Sequence, residues 1–267
     1  MLFDTHCHLD AAEFDADREQ VVARALAAGV QGIIIPAVEV ANFEQVRTLA
    51  HSFTQGAYAL GIHPMYVGRA SDEALELLHA ALKRYQHDPK LVAVGEIGLD
   101  FFIPEISHGA AREKQERYYD AQLLLAKEFE LPVLLHVRRS QDTLLKYLRQ
   151  RKVQGGLAHA FNGSLQQAEQ FVALGFALGM GGAMTYTRAL QIRRLAQQIG
   201  LDALVLETDA PDIAPEWLKE SRRNEPAQVA RIAQVLADLR GVAPETVTQA
   251  TGHTALRVIP RLRQAVL

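Results

Sequence analysis

The feature that most constrains the fold is a repeated alternation of short apolar segments with longer helical ones. The apolar segments have the pattern of buried strands: LFDTHCH, GIIIPAV, AYALGIHP, LVAVGEIGLD, PVLLHV, GLAHAF, FALGMGG and ALVLETDAP. Stretches typical of helices separate them, for example REQVVARALAAG and DEALELLHAALKRYQ. Buried strands alternating with helices pair in parallel through right-handed crossovers. Eight such units in about 250 residues predict a (β/α)8 TIM-type barrel.

The barrel is expected to be one domain, residues 1–267, with helices from Glu225 onward closing it. An open doubly wound sheet is the alternative. That fold usually carries a glycine-rich phosphate loop after its first strand. The first strand here is instead followed by HCHLD, so we prefer the barrel.

Composition limits where the protein acts and what it binds. The single cysteine, Cys7, excludes an internal disulfide framework and fits a reducing cytoplasm. No segment has the plan of a signal peptide, and no apolar run approaches the roughly 20 residues needed to cross a bilayer. We therefore expect a cytoplasmic protein with no membrane role and no obligate protein partner. The net charge of −3 predicts that any contact with nucleic acid is local, involving a few phosphates.

Polar residues recur where the predicted strands end, which is where barrel enzymes place their catalytic groups. Counting from the first strand to the eighth, these residues are His6, His8, His63, Glu96, His136, His159 and Asp209. Taken singly, His136 and His159 could be ordinary core histidines. Glu96 is harder to dismiss, because a carboxylate in a buried strand is costly unless it is paired or coordinated.

Leaving His63 aside, four histidines and two carboxylates are more ligands than one metal ion requires. The set suits two divalent ions bridged by a carboxylate and a hydroxide, an arrangement used to cleave phosphoesters. Imidazole and carboxylate ligands favour Zn²⁺, with Mg²⁺, Mn²⁺, Co²⁺ or Ni²⁺ as alternatives. Asp209 precedes Ala-Pro at the end of the eighth strand, from which it could bind an ion and also accept the proton of the attacking water.

At this point the sequence resembles the TatD family of metal-dependent deoxyribonucleases. The resemblance extends from Asp4 to about Pro226 and rests on DTHCHLD, GIHP, VGEIGLDF, LPVLLHVRRS, HAFNGS, LETDAPDIAP and RNEP, in that order. It implies a distorted (β/α)8 barrel with a two-metal site that hydrolyses phosphodiesters. Two segments depart from the family pattern: FFIPEISHG after Asp100 and GMGGAMTY at the seventh strand.

The resemblance also implies residue roles. One metal would be held by His6, His8 and Asp209, the second by His136 and His159, and Glu96 would bridge them. The positions matching substrate-facing residues of the family are His63, Arg138 and Arg223. Asp4 or Glu207 is expected to orient a metal-binding imidazole, because such rings usually donate their other N–H to a carboxylate or carbonyl.

The expected substrate is the end of a single-stranded or frayed DNA strand, hydrolysed by an exonuclease. A small-molecule amidohydrolase or lactonase on the same barrel is the competing hypothesis, since fold does not fix function. A protein that keeps metal ions only for structure is a third hypothesis. It is disfavoured because a structural zinc needs four closed ligands, and this set is larger and more open.

Overall fold

A closed ring of parallel strands forms the centre of the computed structural model, which describes residues 1–267. The strands pair in chain order, each with the next. Strands β1 to β8 span Phe3–Asp4, Gly32–Pro36, Gly56–Leu60, Leu91–Asp100, Val133–Arg138, Gly156–His159, Phe176–Met180 and Leu204–Leu206. The ring closes because the Thr5 amide donates to the Leu206 carbonyl at 3.1 Å. The predicted (β/α)8 barrel is confirmed.

The helices lie outside the ring, as the alternating sequence predicts. Helices α1 to α11 span Arg18–Ala27, Phe43–His51, Pro64–Val67, Ala74–Tyr85, Gly109–Glu128, Gln141–Arg151, Leu165–Ala173, Leu190–Gln198, Val229–Arg240, Pro244–Val258 and Leu262–Val266. No helix is both long enough and apolar enough to cross a lipid bilayer. The helices between strands provide the crossovers that parallel pairing requires.

Strand β2 shows how alternation divides the core into two parts. Ile33 and Ile35 point outward into the large cluster under the surrounding helices, whereas Ile34 points into the barrel. All three side chains are fully buried, because both faces of a barrel strand are covered. This explains why β2 is a continuous apolar run in the sequence.

The C-terminal helices close the barrel, as expected for the segment after Glu225. Side chains from the end of α10 and from α11 belong to the same buried cluster as the inward-facing strand residues, among them Val258, Leu262 and Val266. Among them, Val266 lies next to Gly32 and Phe3, near the start of the first two strands. The barrel is therefore sealed at the end opposite the strand carboxyl ends, where the predicted site residues lie.

This packing predicts a large cost for shortening Leu262, which is fully buried in the barrel cluster. Leu262→Ala should lower the free energy of unfolding by about 2–5 kcal/mol, because it leaves a cavity that the closed ring cannot collapse into. Urea denaturation followed by far-UV circular dichroism measures the change. Leu190→Ala is the control, because Leu190 is 74% exposed and its loss should change stability by no more than about 0.5 kcal/mol. Equal stability of the two variants would contradict the closing role.

Candidate metal centre

Two segments beyond the strand ends bring the first histidines to the site. The sequence suggested a strand through His8, but β1 ends at Asp4, and His6 and His8 lie in the extended segment that follows. This segment pairs with the one after β8: the Asp209 amide donates to the His6 carbonyl at 2.9 Å, and the His8 amide to Ala210 at 2.8 Å. Asp209 has a φ of +58°, a left-handed conformation that Asp tolerates better than most residues. Closure of the barrel thus places His6, His8 and Asp209 together.

Glu96 lies within β4, not at its end. The strand continues to Asp100, and its pairing register with β5 shifts between Val94 and Ile97. A register irregularity redirects side chains locally. Glu96 is 1% exposed, and its carboxylate reaches the middle of the histidine cluster.

The Oε2 atom of Glu96 faces the first group of ligands. It lies 3.1 Å from His6 Nε2 and 3.4 Å from His8 Nε2. Asp209 Oδ1 lies 3.8 Å from His6 Nε2 and 3.6 Å from His8 Nε2. The His159 ring stacks on His6 at 3.8 Å, and its Nε2 lies 3.5 Å from Asp209 Oδ1. These side chains converge on one small volume.

The Oε1 atom of Glu96 faces a second group. It lies 3.0 Å from His136 Nδ1 and 3.4 Å from His63 Nε2. The two histidines also contact each other, with His63 Nε2 at 3.0 Å from His136 Nδ1. Three candidate ligand triads result: His6, His8 and Asp209; His6, Glu96 and His159; and His63, Glu96 and His136. In these triads His159 therefore groups with His6, and His136 groups with His63.

The tautomer of His63 separates it from the other histidines. Its Nδ1 accepts a hydrogen bond from the Met65 amide at 3.2 Å. A neutral imidazole that accepts through Nδ1 carries its proton on Nε2, so Nε2 is a donor. Burial lowers the pKa of His63 to about 4, so the ring is neutral at pH 7. His63 is thus suited to donating a hydrogen bond to Glu96 or to a substrate oxygen.

The separations in the first group fit a bound divalent cation. Ligand atoms about 2.0–2.2 Å from one tetrahedral ion lie roughly 3.3–3.6 Å from one another. The Nε2 atoms of His6 and His8 are 3.4 Å apart, and each is 3.1–3.4 Å from Glu96 Oε2. His6 Nδ1 is buried without a hydrogen-bond partner. Imidazole nitrogens directed at one another beside a carboxylate are the donor set of a metal site.

Asp100 is a buried carboxylate next to the candidate ligands, and the sequence interpretation assigned it no role. Its Oδ2 lies 3.0 Å from His136 Nε2, so it orients the ring whose Nδ1 faces Glu96. Its Oδ1 accepts from the amides of Phe102 at 2.8 Å and Ile103 at 3.2 Å. Asp100 is fully buried at the end of a buried strand. That position, like the position of Glu96, was the signal in the sequence that could have identified it.

Glu207 lies next to His159 on the side away from the cluster. Its Oε1 lies 3.1 Å from His159 Nδ1 and accepts from the Ala160 amide at 2.6 Å. Gly179 on the neighbouring strand makes room for the carboxylate, since a Cβ there would lie 2.1 Å from Glu207 Oε2. The contact matches the orienting role expected of Asp4 or Glu207, which remains a proposal.

Asp4 contacts backbone and hydroxyl groups and no imidazole ring. It accepts from the Thr208 amide at 2.9 Å and from the Thr208 hydroxyl at 2.6 Å, and the His6 amide lies 3.4 Å away. Burial raises the pKa of Asp4 to about 8. Asp4 therefore joins the segments after β1 and β8 and supports His6 through the main chain.

The charges of the cluster are strongly coupled. Burial would raise the pKa of Asp209, but the charges and hydrogen bonding of the surrounding imidazoles lower it to about 2. Burial would lower the pKa of His8, but the Glu96 and Asp209 carboxylates raise it to about 9. Both shifts show that ionised carboxylates here need positive charge next to them. A divalent cation supplies such charge without requiring the histidines to be protonated.

The cluster opens into a cavity of about 1010 Å³ at the carboxyl ends of the strands. Arg138 lines it, with one guanidinium nitrogen 3.6 Å from Asp100 Oδ2. Arg223 does not line this cavity, because its guanidinium pairs with Asp17 at 2.5 Å. Of the residues that the resemblance places against the substrate, His63 and Arg138 thus line the cavity, whereas Arg223 does not.

Comparison with known proteins agrees with this architecture. The family model described as "TatD related DNase" matches residues 3–260. An uncharacterized metal-dependent hydrolase, YjjV, of Escherichia coli is 44% identical over 248 residues, covering 92% of this chain and 93% of its own. The crystal structure of Escherichia coli YjjV, described as a TatD homolog, superposes with a TM-score of 0.91 at 41% identity and covers 97% of this chain and 98% of its own.

A further relative has a named activity. The protein named 3'-5' ssDNA/RNA exonuclease TatD of a Pantoea species is 35% identical over 261 residues, covering 95% of this chain and 97% of its own. The family match spans nearly the whole chain. The chain therefore belongs to the TatD family, and it is a metal-dependent hydrolase that acts on ester bonds.

Proposed function

We propose that this protein is an exonuclease that hydrolyses phosphodiester bonds at the ends of single-stranded or frayed DNA. The observation that carries the proposal is the position of Glu96, whose two carboxylate oxygens each face a different group of histidines. A bridging carboxylate between two ligand groups is what a two-metal phosphodiesterase requires. The 3'-5' exonuclease named among the relatives supports a nucleic-acid substrate.

Two divalent ions, with zinc preferred, would be held by this cluster. The family resemblance assigns His6, His8 and Asp209 to one ion, His136 and His159 to the other, and Glu96 to both. The distances instead group His159 with His6, and His63 with His136, around the two oxygens of Glu96. When bound, such ions lower the pKa of a water molecule and stabilise the charge that develops on phosphate oxygens. Asp100 would orient His136 through Nε2, at 3.0 Å, and Glu207 would orient His159 through Nδ1, at 3.1 Å.

The side chains around the cluster have distinct roles in the proposed reaction. The Asp209 carboxylate is ionised at neutral pH and 14% exposed, so it can accept the proton of the attacking water. His63 donates from Nε2 toward Glu96 or a phosphate oxygen. The Arg138 side chain is 46% exposed in the cavity, so its guanidinium can hold a non-bridging phosphate oxygen.

The net charge of −3 supports a substrate that is bound through only a few phosphates near its end. The catalytic cavity contains two arginines, Arg138 and Arg139, together with several carboxylates. This arrangement suits a few phosphates next to the cluster and not a long duplex. No specific contact in the cavity favours an amide or lactone substrate, so we retain the nuclease proposal.

The ligand groups predict two divalent ions for each chain. Protein purified without chelator should contain close to two equivalents, and His136→Ala should contain close to one, because Glu96 Oε1 loses the nearer of its two imidazole neighbours. Elemental analysis by mass spectrometry measures both values. His253→Ala is the control, because His253 is an exposed histidine on α10 and should leave the metal content unchanged. Wild-type protein that contains no metal and keeps full activity in chelator would overturn the proposal.

The proposed substrate predicts a clear difference between strand forms. The metal-loaded protein should shorten linear single-stranded DNA one nucleotide at a time and leave closed circular single-stranded DNA intact, since a circle has no end. Denaturing gel electrophoresis distinguishes the two outcomes, and blocking the 3' or 5' terminus of the linear substrate gives the polarity. Cleavage of the circle, or hydrolysis of an amide or lactone panel without hydrolysis of DNA, would contradict the proposal.

The role of Asp209 predicts the effect of an isosteric change. Asp209→Asn keeps a carbonyl oxygen for the metal but cannot accept a proton, so turnover should fall by roughly 10²–10⁴-fold. The rate with a linear single-stranded substrate and the metal content should be measured on the same preparation. A variant that holds both ions and turns over at a near-normal rate would show that Asp209 is a ligand only.

A further inference from the structure

The ring of Phe102 lies exposed on the wall of the catalytic cavity. It is 44% exposed, one of eight large hydrophobic side chains that are exposed in the whole structure. Met65, 48% exposed, lines the same cavity. Large apolar groups left open in the cavity that also holds the charged and imidazole groups of the site indicate contact with an apolar surface of the ligand.

The position of Phe102 is fixed relative to the metal-binding histidines. Asp100 Oδ1 accepts the amides of Phe102 and Ile103, while Asp100 Oδ2 contacts His136 Nε2. One buried carboxylate therefore anchors both the segment that carries the aromatic ring and an imidazole of the cluster. A ligand resting on Phe102 is held at a set distance from the reacting bond, which favours reaction through orientation.

Two guanidinium groups lie against the same ring. The Arg138 guanidinium carbon is 4.0 Å from the Phe102 ring centroid and that of Arg139 is 4.7 Å away. These cation–π contacts place both guanidinium groups over the ring, so a base that stacks on Phe102 displaces at least one of them toward the adjoining phosphate. Their N–H donors remain available for phosphate oxygens, since only Arg138 has a carboxylate neighbour, Asp100 at 3.6 Å. An aromatic surface flanked by anion-binding donors matches a nucleotide, which joins a flat base to a phosphate.

We propose that Phe102 is a stacking platform for a nucleobase at the end of the strand being hydrolysed, flanked by Arg138 and Arg139 on the phosphates. The inference rests on the proposed nuclease function and adds the binding site for the base. Stacking accepts every base, because each has a π-face, so the platform carries little sequence preference. Moving a base from its neighbour onto Phe102 costs pairing and stacking energy, and this cost is smallest when the base is unpaired. The platform thus provides a physical reason for a preference for single-stranded or frayed ends.

The test compares single-stranded oligonucleotides that end in a normal nucleotide or in an abasic one. Wild-type protein should hydrolyse the base-bearing end with a kcat/KM about 5- to 150-fold higher than the abasic end. In Phe102→Ala this ratio of kcat/KM values should fall toward one. In Phe102→Trp it should stay close to the wild-type ratio, because the indole ring can also stack on a base. Leu124→Ala is the matched control, because Leu124 is 45% exposed on α5 and lies outside the cavity, and it should keep the wild-type ratio.

A second measurement reports stacking without turnover. A terminal 2-aminopurine next to a hydrolysis-resistant phosphorothioate linkage should lose fluorescence on binding to the metal-loaded wild-type protein and regain it with Phe102→Ala. A wild-type ratio near one, or a Phe102→Ala variant that keeps the wild-type ratio and quenching, would overturn the platform while DNA hydrolysis still stands. Absence of hydrolysis on both oligonucleotides would instead overturn the nuclease proposal on which the platform depends.

Discussion

The buried charge of Glu96 is the constraint on which the rest of the site depends. An ionised carboxylate that is 1% exposed is strongly destabilising unless positive charge or hydrogen-bond donors surround it. Burial would raise the pKa of Glu96, yet the neighbouring imidazoles, above all His63 and His6, lower it well below the usual range. The histidine groups on either side of the carboxylate are thus what keeps it ionised. Removing them would leave an uncompensated charge in the centre of the barrel.

The barrel supplies these partners because parallel strands end at a common rim. Residues separated by most of the chain, such as His6 and Asp209, become neighbours only because the segments after β1 and β8 pair with each other. The opposite end is sealed by apolar side chains from the C-terminal helices. The apolar packing that closes the barrel and the polar residues of the candidate site therefore lie at opposite ends of the strands. The polar residues at the rim do not interrupt the apolar interior.

The sequence was sufficient to predict the architecture and the residues that meet at the rim, because both depend on repeated patterns. Strand–helix alternation repeats eight times, and the polar residues stand in or just after six of the eight strands. The bounds of β1 and β4 were less predictable. β1 ends at Asp4 because its ladder with β2 covers only Phe3 and Asp4, and β4 continues past Glu96 to Asp100 through a shift in its register with β5. Such shifts depend on contacts between strands that a single sequence does not display.

The surroundings of the cluster were harder to infer than the cluster, for a related reason. Ligand residues are recognisable by type, whereas a neighbouring arginine or carboxylate is defined only by its contacts. Arg223 matched a substrate-facing motif position, yet its guanidinium pairs with Asp17. Asp100 was not assigned any role, yet it contacts the ring of His136.

The loop that follows Asp100 lies next to the candidate metal ligands, but its sequence, FFIPEISHG, departs from the pattern common in the family. Its first turn is anchored by the carboxylate that orients His136. Residues after this anchor can change without moving the metal ligands, because the amides of Phe102 and Ile103 bind Asp100 through the main chain. Backbone anchoring constrains the position of the loop and leaves its side chains free to differ. One buried aspartate can therefore keep the reaction constant while the wall of the cavity diverges to accept different strand ends.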